Sequence, residues 1–281
     1  MPTCHVSNRK KASGAVVFAA FGFSHQHSKD VRKVSAPKSS AESPLEHHQY
    51  LTGILNLLGS ICFVVGSVCF LRRFPEPAAE IGNWLYIGAG ALSSGIAIWH
   101  MLECYAQARQ QGCFTEEEIA ELWENAHYLI ANLIFTAGTL CFISQLTSFW
   151  AKETGAWLFI VGSLGLVSAS FCNALGIAAH SQSRSGTNAY RIGACELWLS
   201  MIGSAFFVVA SFLYRPTYQG HCQDTLQHAL CLDVGEQGTR LYIIGSIIFL
   251  IMSCLSLART NMLATMQTSM EEERTYGSLD A

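Results

Sequence analysis

The side chains best suited to chemistry fall into two groups. His100 and Glu103 stand three apart, as do Glu124 and His127, and residues three apart share a helix face. Glu-x-x-His is a ligand spacing of di-metal helix bundles, which also need inward carboxylates from further helices. Thr115 and Glu118 have instead the spacing of a capping box, which puts Glu117, Glu121 and Glu124 on a solvated helix start. The expected role of His100, Glu103, Glu124 and His127 is a charged face at one end of the helices, with a metal or proton site as the alternative. The second group is Cys222 and Cys231, nine apart, with His221 and His228 beside them. The short paired spacing of zinc ligands is missing there. A disulfide closing a small loop is the expectation. No nucleophile and base pair, phosphate-binding loop or haem ligand set is present, so an enzyme, a resident metal or a cofactor is not expected.

The elements that must position these groups are set by composition. Of 281 residues, 51% are hydrophobic and 13% charged, about half the charge of an ordinary soluble domain. Uncharged stretches run over 50–71, 81–102, 127–150, 154–179, 197–214 and 241–258. Each reaches the roughly 18 residues that a helix needs to cross a bilayer, and helices satisfy their own backbone there. The reading is all-α and integral to a membrane, with six transmembrane helices at 50–71, 81–102, 127–150, 154–179, 196–214 and 240–258. The lipid bilayer is the expected partner, self-association is allowed, and no basic stripe suggests nucleic acid. Residues 1–48 read as a disordered basic tail, with a cleaved signal or transit peptide as alternatives, and residues 259–281 as a disordered acidic tail.

The six helices also repeat. Residues 59–70 (GSICFVVGSVCF) align without a gap on 131–142 (ANLIFTAGTLCF) and 203–214 (GSAFFVVASFLY), both times at an offset of 72. Small residues recur seven apart, at Gly59 and Gly66, Ala131 and Gly138, and Gly203 and Ala210. They form the expected packing seam, because small residues let membrane helices approach closely. The second helices open with Gly82-Asn83-Trp84-Leu85-Tyr86, Gly155-Ala156-Trp157-Leu158-Phe159 and Gly238-Thr239-Arg240-Leu241-Tyr242, at offsets of 73 and 83. The third copy thus gains about ten residues, the segment of Cys222 and Cys231. Gly88-Ala89-Gly90 reads as one residue out of step with Gly162 and Gly245. Trp84, Trp157, Tyr86 and Tyr242 read as headgroup anchors. The units are 49–105, 115–180 and 192–258.

Each copy resembles the YrhK-like domain, whose pattern is close to Gly-Ser-x-x-Phe, a linker, then Gly-x-Trp-Leu-Phe-x-x-Gly-Ser. The third copy departs from it, with Arg240 in place of the Trp and a longer linker. The resemblance implies a two-helix membrane module and carries over no catalytic or binding residue.

An even number of spans puts both tails on one side, which holds 12 Lys and Arg against 5 on the other. The positive-inside rule makes that side cytosolic, in the plasma membrane or an endomembrane. Parallel repeats are a transporter habit, so small-solute or ion transport is the first functional expectation. A non-transporting membrane scaffold is the second, favoured by how few polar side chains the helices offer. A continuous polar path through the bundle would distinguish the two.

Overall fold

A computed structural model describes residues 44–114, 116–143, 148–180, 188–218 and 228–277. Cys222 lies outside these residues, as does Thr115. Six long helices account for the described chain: α1 (Pro44–Cys69), α2 (Glu76–Gln111), α3 (Glu116–Leu140), α4 (Phe149–His180), α5 (Asn188–Leu213) and α6 (His228–Gly277). Pro77 sits in the first turn of α2, where its missing N–H costs nothing. The same helix stops at Gly112, whose φ of 75° only glycine adopts readily.

Every helix packs against its neighbours in chain order, and α1 closes on α6. The result is an up-and-down ring of three helix pairs. Its outer surface is apolar, with Ile61, Val65, Ile130, Val161, Val209 and Ile251 exposed. Its inner surface is small, aromatic or hydroxyl-bearing, with Ser67, Ser163, Ser200 and Ser211 fully buried. That is the pattern of a helical membrane protein, where packing and internal hydrogen bonds hold helices together.

Five helices hold a stretch long and apolar enough to cross a membrane: Tyr50–Cys69, Pro77–Gln111, Phe149–Phe171, Arg191–Leu213 and Val234–Met262. Among the described residues the third helix holds no such stretch. Glu124, Asn125, His127 and Asn132 dilute its apolar residues. In addition, α3 ends at Leu140, so residues 141–143, counted within a span over 127–150, form a turn. The same turn ends each odd-numbered helix, where the amides of Phe70, Phe142 and Tyr214 donate to the carbonyls of Ser67, Thr139 and Ser211 at 3.2, 3.0 and 3.2 Å.

The C-terminal segment read as a disordered tail is also corrected. Helix α6 runs on to Gly277, and Arg259 and Thr260 are buried. The run Met262 to Glu273 is rich in Met, Ala, Gln and Glu, all strong helix formers.

Within each pair the seam is a near-contact of backbones. A Cβ added at Gly82 would lie 2.8 Å from the Gly66 carbonyl oxygen, and one at Gly155 would lie 2.9 Å from that of Gly138. At Gly238 the matching distance, to the Ala210 oxygen, is 3.2 Å. Two turns inward the pairs differ. A Cβ at Gly162 would meet the Phe135 amide nitrogen at 3.0 Å, and one at Gly245 the Phe207 ring at 2.7 Å. At offsets of 73 and 83 the residue of the first pair there is Ala89, fully buried. The first pair is therefore not out of step; it carries a methyl group where the others carry none. Nothing lies within 4 Å of a Cβ added at Gly59, which faces that level of the ring.

Candidate functional site

The ring encloses two layers of opposite character. At its middle stand six aromatic side chains, one from each helix: Phe63, Tyr86, Phe135, Phe159, Phe207 and Tyr242. Phe63, Phe135 and Phe207 form one triangle, with ring centroids 5.8, 5.8 and 6.1 Å apart. Tyr86, Phe159 and Tyr242 form a second, at 6.5, 6.2 and 6.5 Å. These separations suit edge-to-face packing, worth about 0.5–1.5 kcal/mol per pair beyond burial. Phe70, Phe142 and Tyr214 pack against this layer from the side away from the tails.

Tyr86 and Tyr242 are 1% and 5% exposed, so they are core residues and not headgroup anchors. Two residues along a helix is a rotation of about 200°, which turns Tyr86 inward while Trp84 stays 55% exposed. Inside, each hydroxyl finds a partner. The Tyr86 hydroxyl shares a hydrogen bond with Ser67 (2.6 Å) and the Tyr242 hydroxyl one with Ser211 (2.8 Å). Ser67 reaches across the α1–α6 seam to Ser246 as well, at 2.8 Å. The middle pair has Phe159 in place of the tyrosine, and there Thr139 donates only to the Phe135 carbonyl.

Toward the tails the ring opens into a cavity of about 160 Å³ with lining residues from all six helices, several times the space one water needs. Phe63, Phe135 and Phe207 end it on the aromatic side, and it extends to the level of Thr52, His100 and Thr260. Its odd-helix walls follow the repeat. Ser60, Asn132 and Ser204 stand one turn from the phenylalanines, and Asn56 and Tyr128 one turn further. From Thr52 to Phe63 is about 16 Å of helix rise.

Several wall groups bond across the α1–α6 seam, as Ser60 does with Ser253 at 2.7 Å. Ser170 outside the cavity ties Ser200 at 2.9 Å and Tyr128 at 3.3 Å. The hydroxyls of Ser163, Ser204 and Ser256 line the cavity with no hydrogen-bond partner among the described residues. Such orphans are uncommon in buried positions.

Of the four residues expected to form a charged face, the structure joins two. His100 Nδ1 lies 3.6 Å from Glu103 Oε2. Glu124 is buried with Oε1 lacking a partner among the described residues, and His127 is exposed. Glu124 precedes the apolar stretch of α3, and burial, reinforced by the Glu121 charge, raises its carboxyl well above the ordinary range. Glu196, at the matching position of α5, faces Arg259 of α6 across 3.7 Å. Among the described residues no group of three or more His, Cys, Asp and Glu could hold a metal ion.

The seam residues Gly59, Gly66, Ala131, Gly138, Gly203 and Ala210 are all buried, and of these Gly59 lines the cavity. The expected Cys222–Cys231 bridge falls outside the described side chains. Cys113, in the turn after α2, is disulfide-bonded.

Sequence reasoning missed the cavity serines and a clamp at the far end. There the Arg215 guanidinium donates to Glu153 Oε1 from Nε at 2.8 Å and from Nη2 at 2.5 Å, and the Thr217 amide donates to Oε2 at 3.1 Å. The same guanidinium stands 4.3 Å from the centroid of the Trp157 ring. The signal was available, since Glu80, Glu153 and Glu236 share the offsets of the second helices.

Apolar outside and polar within, this is a helical membrane protein built from paired helices. Residues 49–93 and 120–175 match the YrhK-like protein family. The matched parts lie in the first two helix pairs. No curated protein matches the chain, and no solved structure does.

Proposed function

We propose that this protein spans the membrane six times as three YrhK-like pairs, binds a small solute in the central cavity and passes it across by displacing the aromatic layer. The observation that carries this reading is the cavity itself, walled by all six helices and ended by the six aromatic side chains. A site near mid-membrane, where repeats meet, with access from one side is how repeat-built transporters hold their solutes. The third helix completes the ring, its polar residues Asn125 and Asn132 facing the cavity and Ile130 and Leu133 facing out. The third pair repeats the seam and aromatic positions of the first two. The Lys and Arg distribution supports cytosolic tails, and with them a cavity that faces the cytosol.

The test is solute flux in vesicles reconstituted with the full chain, beside Phe207→Ala, which removes one edge of the aromatic layer. Transport predicts saturable flux for the native protein and a faster leak for the variant. A second reading, a non-transporting membrane scaffold, is favoured by the aromatic layer, which interrupts the polar path. Flux no greater than in protein-free vesicles for both proteins would establish that reading.

A further inference from the structure

The walls of the cavity define the class of molecule it accepts. Many hydroxyls of the bundle are consumed by the helix that carries them. Ser60, Ser67, Thr136, Thr139 and Ser211 each donate to the carbonyl four residues back, at 2.6–3.2 Å, whereas Ser94, away from the cavity, is buried with no partner among the described residues. Ser163, Ser204 and Ser256 come from three different helices, are 1–3% exposed, line the cavity and have no such bond. Their hydroxyls can both donate and accept. Leaving one buried and unmatched costs about 1–3 kcal/mol, so three on one cavity need something to bond.

Charge decides what that something is. The cavity lining contains no Asp, Glu, Lys or Arg, and His100 is its one imidazole. Outside the lining, Glu196 and Arg259 face one another and Glu103 is held beside His100. An ion in this cavity would lose hydration with no charged wall group to replace it. An uncharged solute gives up only hydrogen bonds, and the serine hydroxyls and the Asn56 and Asn132 amides can return them. Phe63, Phe135 and Phe207 give the site one apolar end.

We infer that the cavity is a binding site for a small uncharged solute bearing hydroxyl or amide groups, held by Ser163, Ser204 and Ser256. This rests on the transport reading for its purpose but not for its chemistry. Gly59 supplies the means to close the site, because a side chain added there points into open space.

The experiment uses the full chain, purified for equilibrium binding and reconstituted for flux, with radiolabelled glycerol, urea, acetamide, methylammonium and acetate as probes. Saturable binding is expected for at least one of the three neutral probes and for neither ion. Ser204→Ala and Ser256→Ala should each weaken it about five- to tenfold. Gly59→Leu should abolish it while the unfolding temperature of the empty protein stays level or rises. Neutral binding without flux would uphold the site and remove transport. Binding or flux of the ions in place of the neutral probes would overturn the inference and leave transport standing. Binding of no probe, a cavity filled by water only, would overturn it outright.

Discussion

Replacing Gly82 by Ala tests the pairing of the helices at its tightest point. The new Cβ would stand 2.8 Å from the Gly66 carbonyl oxygen, 2.9 Å from Phe70 Cε1 and 3.1 Å from Cys69 Cβ. Ordinary contact begins near 3.4 Å, so the α1 backbone must retreat by roughly 0.6 Å, since a carbonyl cannot rotate away as a side-chain tip can. A gap of 0.5–1 Å forfeits about a quarter to a half of each dispersion contact across it. Overpacking of this kind costs about 1–3 kcal/mol, against a gain in helix propensity of up to about 1 kcal/mol. A net loss of about 1–2 kcal/mol lowers Tm by about 2–8 °C for a chain of this size. The assay is thermal unfolding in detergent followed by circular dichroism, with Gly155→Ala, Gly238→Ala and Gly59→Ala in parallel. Gly155→Ala should match Gly82→Ala, and Gly238→Ala, with 3.2 Å available, should cost less. Gly59→Ala should be neutral or stabilising. Equal Tm values for Gly82→Ala and the native protein, or an equal fall for Gly59→Ala, would refute the reasoning.

Further perturbations bear on other parts of the ring. Tyr86→Phe should cost about 1 kcal/mol and keep the fold, because the middle pair already places Phe159 there; a chemical melt reads the difference. Arg215→Ala strands the Glu153 carboxylate between α4 and α5 and should cost about 1–3 kcal/mol, with increased hydrogen exchange at the start of α4. The Glu124 carboxyl titrates higher folded than unfolded, so its protonated form favours the fold. Stability should therefore fall as pH rises above the ordinary carboxylate range, and Glu124→Gln should flatten that slope and be the more stable at neutral pH. Glycosylation acceptors inserted before α1 and after α6 should both stay unmodified if the tails are cytosolic. Modification of either, which the disulfide at Cys113 on that face would accommodate, reverses the orientation.

Much of this architecture was legible because it is periodic. The 72-residue offset aligned Phe63, Phe135 and Phe207 before any helix was placed, and small residues seven apart marked the faces that meet. The second helices were harder. Trp84 and Tyr86 are both amphipathic rings two residues apart, and only the helical rotation separates a lipid-facing ring from a core one. Counting hydrophobic residues overran the end of α3, since Cys141 to Ile143 are as apolar as the helix before them. The acidic run Glu271 to Glu273 argued for a solvated tail, although its neighbours favour helix. The cavity was the least legible feature. It depends on which serine hydroxyls are already occupied. A few hydrogen bonds leave no mark on a hydrophobic pattern.

The central claim is that the polar cavity is the route of an uncharged solute. The direct measurement is stopped-flow uptake of glycerol, urea and acetamide into vesicles holding either the native protein or Gly59→Leu at matched density. Saturable uptake of at least one of them is expected with the native protein and none above protein-free vesicles with Gly59→Leu. Equal uptake through both proteins, or none through either, would contradict it.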